Sequence, residues 1–186
     1  MKTTIEKTFT VRQPLEKVWS YLSDPAKVVP CVPGAQLTEQ IDAHHYRGTV
    51  SMKVGPVSAS YKGEITIKTL DHETHTIELM GRGLDARGKG SASMTMWGQA
   101  RAVDANTTEI INRIEISVTG MLAQFGSRLI EDVSSRLFDQ FTECFESLLG
   151  GEAPEDAGQA LSAGSLIKEG IKSVAGRFFG KKEGNE

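Results

Sequence analysis

Few side chains in this sequence are placed for chemistry. The nearest approach to a nucleotide motif is Gly83-Leu84-Asp85-Ala86-Arg87-Gly88-Lys89-Gly90. A phosphate-binding loop needs Ser or Thr after its Lys to hold magnesium, then a helix whose N-terminus takes the phosphate. Here Gly90 follows and a strand pattern comes next, so the segment reads as a glycine-rich hairpin turn. His44, His45, His72 and His75 are potential ligands, but they fall at strand starts and turns with no Cys or carboxylate at ligand spacing; solvated histidines are the simpler reading. Cys31 and Cys144 make no CxxC pair and no disulfide framework, which points to a reducing compartment and to Cys31 as a small buried residue rather than a catalytic thiol. No nucleophile elbow is present. On the face of the central strands that reads as inward, Tyr61 and Asn112 are the polar residues; each could hydrogen-bond a ligand or simply satisfy its surroundings. An enzyme acting on an apolar substrate wants a paired acid and base on that face. None is legible, so no catalytic residue and no metal ligand is predicted.

The elements that must position these residues are legible from periodicity. Ile5, Lys7, Phe9 and Val11 alternate with Thr4, Glu6, Thr8 and Thr10, a strand with three of four odd positions apolar. Gln13-Pro14 starts a helix with the stripe Leu15, Val18, Trp19 and Leu22, stopped by Ser23-Asp24-Pro25. A short helical turn follows over 26–29. From Gln36 to Val118 the period is two, broken at Gly55-Pro56, Asp71-His72-Glu73, Arg87-Gly88-Lys89-Gly90 and Asp104-Ala105-Asn106. Turn signals between strands apolar on one side predict an antiparallel meander of about six strands. At Gly120 the period becomes 3.6: Leu122, Phe125, Leu129, Val133, Leu137, Phe141, Phe145 and Leu148 mark one helix over 121–149. The fold class is therefore α+β, a curved antiparallel sheet gripping one long C-terminal helix laid across its concave face. The inward face of the meander carries Gly48, Ala59, Gly63, Gly81, Gly83, Ala92, Gly98, Ala100 and Ala102. Such small residues either leave a hollow with room for a ligand or serve strand curvature.

Composition narrows the function. Lys plus Arg is 21 against 24 Asp plus Glu, a net charge of −3, which disfavours a generally basic nucleic-acid binder. The N-terminus has no apolar stretch of the kind a secretory signal carries, and no run approaches the roughly 20 apolar residues of a membrane span.

Several spaced motifs carry a resemblance. Asp24-Pro25 through Cys31-Val32-Pro33-Gly34, Val54-Gly55-Pro56-Val57 with Tyr61-Lys62-Gly63, Gly81-Arg82-Gly83 to Gly88-Lys89-Gly90, and Gly120-Met121-Leu122-Ala123-Gln124-Phe125-Gly126 resemble the CoxG family, the G-subunits of carbon monoxide dehydrogenase, within the START-like, helix-grip (SRPBCC) superfamily. The resemblance implies a hydrophobic pocket, no catalysis, and an accessory role for a molybdenum hydroxylase such as CO dehydrogenase, with attachment to the inner, cytoplasmic face of the membrane. A partner enzyme of that kind must pass electrons to an acceptor dissolved in the bilayer. The expected ligand is therefore menaquinone or a similar prenyl quinone, with no covalent cofactor. Its expected walls are Val50, Met52, Tyr61, Ile65, Leu79, Met94, Met96, Asn112 and Ile114 from the sheet and Phe125, Leu129 and Val133 from the helix. The outward Trp97 is a candidate anchor for the hydroxylase. An enzyme of the same fold and an assembly factor with no ligand are the alternatives.

The chain divides into a ligand-binding domain over 1–150, a Gly/Ala/Glu/Pro-rich linker over 151–164 and a tail over 165–186. In the tail Ile167, Ile171, Val174 and Phe178 fall on one helical stripe widened by Phe179, flanked by Lys168, Lys172 and Arg177. An apolar stripe with basic flanks is the pattern of a helix lying in an anionic membrane surface, so these residues are the expected membrane-binding set; docking on this domain or on a partner helix, which uses the same spacing, is the alternative.

Overall fold

The computed structural model describes residues 1–54 and 57–151. The expected opening strand is β1 (Lys2–Val11), followed by α1 (Leu15–Leu22), which buries Val18 and Trp19. Pro14 stands just ahead of the helix, where its missing N–H costs nothing. Asp24 then caps α2 (Pro25–Val28), its carboxylate accepting from the Ala26 N–H at 3.0 Å, and a 3₁₀ turn over Val29–Cys31 follows. Six strands come next: β2 (Ala35–Gln40), β3 (His45–Val54), β4 (Val57–Asp71), β5 (Thr76–Asp85), β6 (Ser91–Asp104) and β7 (Thr107–Val118). All pair antiparallel in the order β1-β7-β6-β5-β4-β3-β2, so the meander closes on the N-terminal strand. The α+β helix-grip architecture read from the two periods is the one observed.

Aspartates shape the hairpins. Asp42, Asp71, Asp85 and Asp104 each accept, through a side-chain oxygen, the N–H two residues on, at 2.7 to 2.9 Å. These are Asx turns, in which the short carboxylate replaces a backbone acceptor.

The long helix departs from the sequence reading. A 3₁₀ turn over Leu122–Phe125 comes first, and α3 runs Gly126–Gly150, 25 residues or roughly 37 Å. Gly126 has φ 79°, a left-handed backbone that breaks the helical path the stripe implied. The contacts of α3 run along the edge strand β1: Thr3 donates to Glu131, Phe9 meets Phe138 and Phe141 edge-on, and Phe141 stacks on Phe145.

The core accordingly splits into three clusters. Val11, Val18, Ile110, Phe145 and Leu149 join the C-terminal end of α3 to β1, β7 and α1. Trp19, Tyr46, Ile67, Ile77 and Ala100 pack α1 on the sheet. There the Trp19 Nε1–H donates to His72 Nδ1 at 2.9 Å, which ties α1 to the β4–β5 turn. Ala59, Tyr61, Val118 and Leu122 close the opposite end.

A correction concerns the cysteines. Cys31 and Cys144 form a disulfide with Cα atoms 5.3 Å apart, clipping the 3₁₀ turn to α3 across 113 residues of sequence. Neither Cys lies near the other in the chain, so spacing carried no sign of the pairing; the returning helix brings them together.

Candidate functional site

The sheet's inner face is built in cross-strand rows. One row, Gly48–Gly63–Gly83–Ala92, crosses β3 to β6. A Cβ on Gly63 would stand 2.0 Å from the Arg82 carbonyl oxygen, and one on Gly48 2.5 Å from that of Gln36. These glycines serve strand curvature, the second of the two readings their pattern allowed. Gly98 leaves no hollow either, since a Cβ there would meet Asn112 Oδ1 at 3.2 Å and Ile77 at 3.3 Å.

Several large apolar residues of the inner face are only partly covered. Val50, Ile65, Met94 and Ile114 are half-buried, face inward and join none of the three packed clusters. Leu129, Val133 and Leu137 of α3 are likewise half-buried and outside the clusters. A well-packed interior would interdigitate these two sets. Leu79 and Met96 pack toward the Trp19 cluster, and Met52 toward the Tyr61 cluster.

Of the remaining expected wall residues, Tyr61 is buried and Asn112 half-buried. Phe125 is a correction: it sits in the 3₁₀ turn, 41% exposed, because Gly126 redirects the chain before the helix begins. Met121 is also a rim residue, 38% exposed. Sequence reasoning passed over Lys7. It occupies an inward position of β1, half-buried, in register with Asn112. Its place in the alternation between Ile5 and Phe9 was the available signal.

At the open end of the sheet a cavity of about 150 Å³ lies between the start of β4, the β5–β6 turn and the residues before α3. Ala59, Met121 and Leu122 supply apolar wall; Ser58, Tyr61, Asp85, Arg87 and Lys89 supply polar groups. Asp85 and Tyr61 are cross-strand partners. Burial pushes the Tyr61 hydroxyl above its ordinary value, and the Asp85 charge adds to the rise, so Tyr61 stays protonated as a donor. Asp85 is committed to the turn: its Oδ1 accepts from the N–H groups of Arg87 and Lys89 at 2.9 and 3.2 Å.

The remaining candidates fall into structural roles. His45 pairs with Asp42 on the surface, and His72 accepts from Trp19. His75 approaches Glu16 at 3.5 Å. Among the described residues no three His, Cys, Asp or Glu side chains converge as a metal site. Trp97 lies on the outer face, 40% exposed, between Glu78 and Arg113 of the neighbouring strands. The tail residues Ile167, Lys168, Ile171, Lys172, Val174, Arg177, Phe178 and Phe179 lie outside the described residues, as does the linker over 152–164. No described helix is long and apolar enough to cross a membrane.

A family model for the carbon monoxide dehydrogenase G-subunit (CoxG) matches residues 8–150. No curated protein sequence matches the chain. Among solved structures it is similar to a conserved protein from Geobacillus kaustophilus (19% identity, TM-score 0.72, 80% of this chain and 96% of that one). It is also similar to the ZhuI aromatase/cyclase from Streptomyces sp. R1128 (16%, 0.56, 81% and 94%). A START superfamily protein from Mycobacterium smegmatis is a third likeness (12%, 0.56, 80% and 97%). Identities this low establish a shared fold, which serves a cyclase as well as a START superfamily member.

Proposed function

The chain belongs to the CoxG family of carbon monoxide dehydrogenase G-subunits, and from that premise we propose that it is a binding protein for an apolar ligand, menaquinone or a similar prenyl quinone, that connects a molybdenum hydroxylase such as CO dehydrogenase to the membrane. The observation that carries this reading is that Val50, Ile65, Met94 and Ile114 on the inner face of the sheet and Leu129 and Val133 on α3 stay half-buried outside the packed clusters. A concave apolar site with few polar groups suits a chain of isoprene units. Asn112 and Lys7, side by side on the inner face, offer N–H donors to a quinone carbonyl. Membership of the family supports the hydroxylase as partner, with Trp97 as the anchor. Reversible attachment falls to the basic, apolar-striped tail.

An enzyme of this fold is the second reading, favoured by the register of Tyr61 against Asp85. It is weaker, because Asp85 is oriented by the turn through Oδ1 and no hydrogen bond joins it to Tyr61 among the described residues.

Native mass spectrometry of the gently purified full chain tests the ligand. A co-purifying prenyl quinone is expected, and Ile114→Trp, which adds bulk on the inner face, should cut its uptake about tenfold while the fold persists. Protein that neither carries nor takes up menaquinone would overturn the reading. Truncation after Gly151 should abolish sedimentation with anionic vesicles; equal sedimentation would remove the tail from the account.

A further inference from the structure

On the outer face of the sheet Arg47 pairs with Glu39 and Glu64, Arg101 with Glu109, and Arg113 with Glu115. Arg87 and Lys89 stand in the β5–β6 turn and are exposed. Both line the cavity at the open end of the sheet, and among the described residues neither pairs with a carboxylate. The one acid in the cavity, Asp85, directs its Oδ1 to their backbone N–H groups, so two positive charges face it in a wall of net charge +1. Beside them the Tyr61 hydroxyl has no hydrogen-bond partner among the described residues, and Ser58 adds a second hydroxyl. Burial holds Tyr61 protonated, so its hydroxyl is available as a donor beside the two cations. The cavity wall includes an exposed apolar side chain, Met121, 38% exposed.

We propose that this cavity is a site for the phosphate oxyanion of an anionic phospholipid headgroup, with Arg87, Lys89, Tyr61 and Ser58 as its donors and Met121 against the acyl region. A space of about 150 Å³ accommodates a tetrahedral oxyanion with some of its hydration. Charge-assisted bonds from a guanidinium and an ammonium are the strong class of hydrogen bond to phosphate. An exposed Met next to two cations matches a bilayer surface, where apolar side chains enter the acyl boundary and cations meet the headgroups. A free anion in water would have no use for that apolar side chain. The site is independent of the half-buried apolar residues of the inner face and α3 and holds whether or not they take a quinone. It gives the domain a lipid contact of its own, at the end of the sheet where the cavity opens.

Residue-resolved NMR on the disulfide-intact full chain tests this, because it separates these amides from those of the tail. Monomeric dihexanoyl-phosphatidylglycerol should shift the amides of Tyr61, Arg87–Gly90 and Leu122 saturably, about tenfold more tightly than inorganic phosphate or the zwitterionic dihexanoyl-phosphatidylcholine. The double variant Arg87→Ala/Lys89→Ala should weaken the lipid by about tenfold or more. Its turn is held by Asp85 through backbone N–H groups, so the fold does not depend on the removed side chains. Shifts confined to the tail, or unchanged affinity in the double variant, would overturn the site. Inorganic phosphate binding as tightly as the lipid would overturn the lipid assignment in favour of a free anion. Equal binding of phosphatidylcholine would overturn selection by charge.

Discussion

Cys31 is buried in a 3₁₀ turn between two prolines, and its bond to Cys144 is the covalent tie between that turn and α3. Closing a loop of this length removes conformational freedom from the unfolded chain, an effect of about 4–5 kcal/mol in the chain-entropy account. Cys144→Ser should therefore lower unfolding stability under oxidising conditions by about 3–5 kcal/mol. Measured with excess reductant, wild type and variant should converge. A variant as stable as the oxidised wild type would mean that the turn is held by packing alone. The same end of α3 is also held by packing, since Phe145 and Leu149 are buried with Val11, Val18 and Ile110.

At the scale of elements, the bend of the sheet is set by the row of small residues across β3 to β6. Gly63 is the tightest of these sites, since its missing Cβ faces a backbone carbonyl of the next strand rather than a movable side chain. Gly63→Ala should cost about 2–3 kcal/mol, because strand backbone has to move. Gly81→Ala provides the contrast. Its Cβ would meet only the Met94 side chain, at 3.1 Å, and a flexible thioether shifts cheaply. A change within about 1 kcal/mol is expected there, helped by the lower freedom of the unfolded chain. Urea midpoints of the two variants decide the matter; equal losses would show that the bend does not depend on close backbone approach.

For the whole molecule, acid sensitivity follows from the turns. Asp42, Asp71 and Asp104 lie in the β2–β3, β4–β5 and β6–β7 turns, which share one end of the meander. All three have carboxyls held below the ordinary value of 3.8, chiefly by the backbone N–H groups of His44, Thr74 and Asn106 respectively. The sign follows from linkage. A depressed carboxyl contributes stability that is complete above its unfolded value and is lost as pH falls through the folded one. The loss is therefore confined to the region below about pH 4. The triple variant Asp42→Asn/Asp71→Asn/Asp104→Asn keeps an oxygen acceptor in each turn but does not titrate. Its urea midpoint should fall less than that of the wild type between about pH 5 and pH 2.5. Parallel falls would place the acid sensitivity in other carboxylates.

What the sequence determined by itself is local and periodic. Alternation through 36–118 marks an antiparallel meander because one face of each strand is buried and the other wet. The change to a 3.6 period after Gly120 marks the helix, and Pro14 marks the start of α1. The outward position of Trp97 follows from the same alternation. Periodicity tells which face of an element is apolar; it does not tell which distant face will meet it. That is decided by register and curvature, which are summed over the whole sheet. So the pairing of Cys31 with Cys144, the inward Lys7 beside Asn112, and the exposure of Phe125 beyond the kink at Gly126 are tertiary facts. The same holds for the open-end cavity. Arg87 and Lys89 read as an ordinary glycine-rich turn in the chain. They become a paired cationic wall only because β4 brings Tyr61, and the chain before α3 brings Met121 and Leu122, to the same 150 Å³ of space.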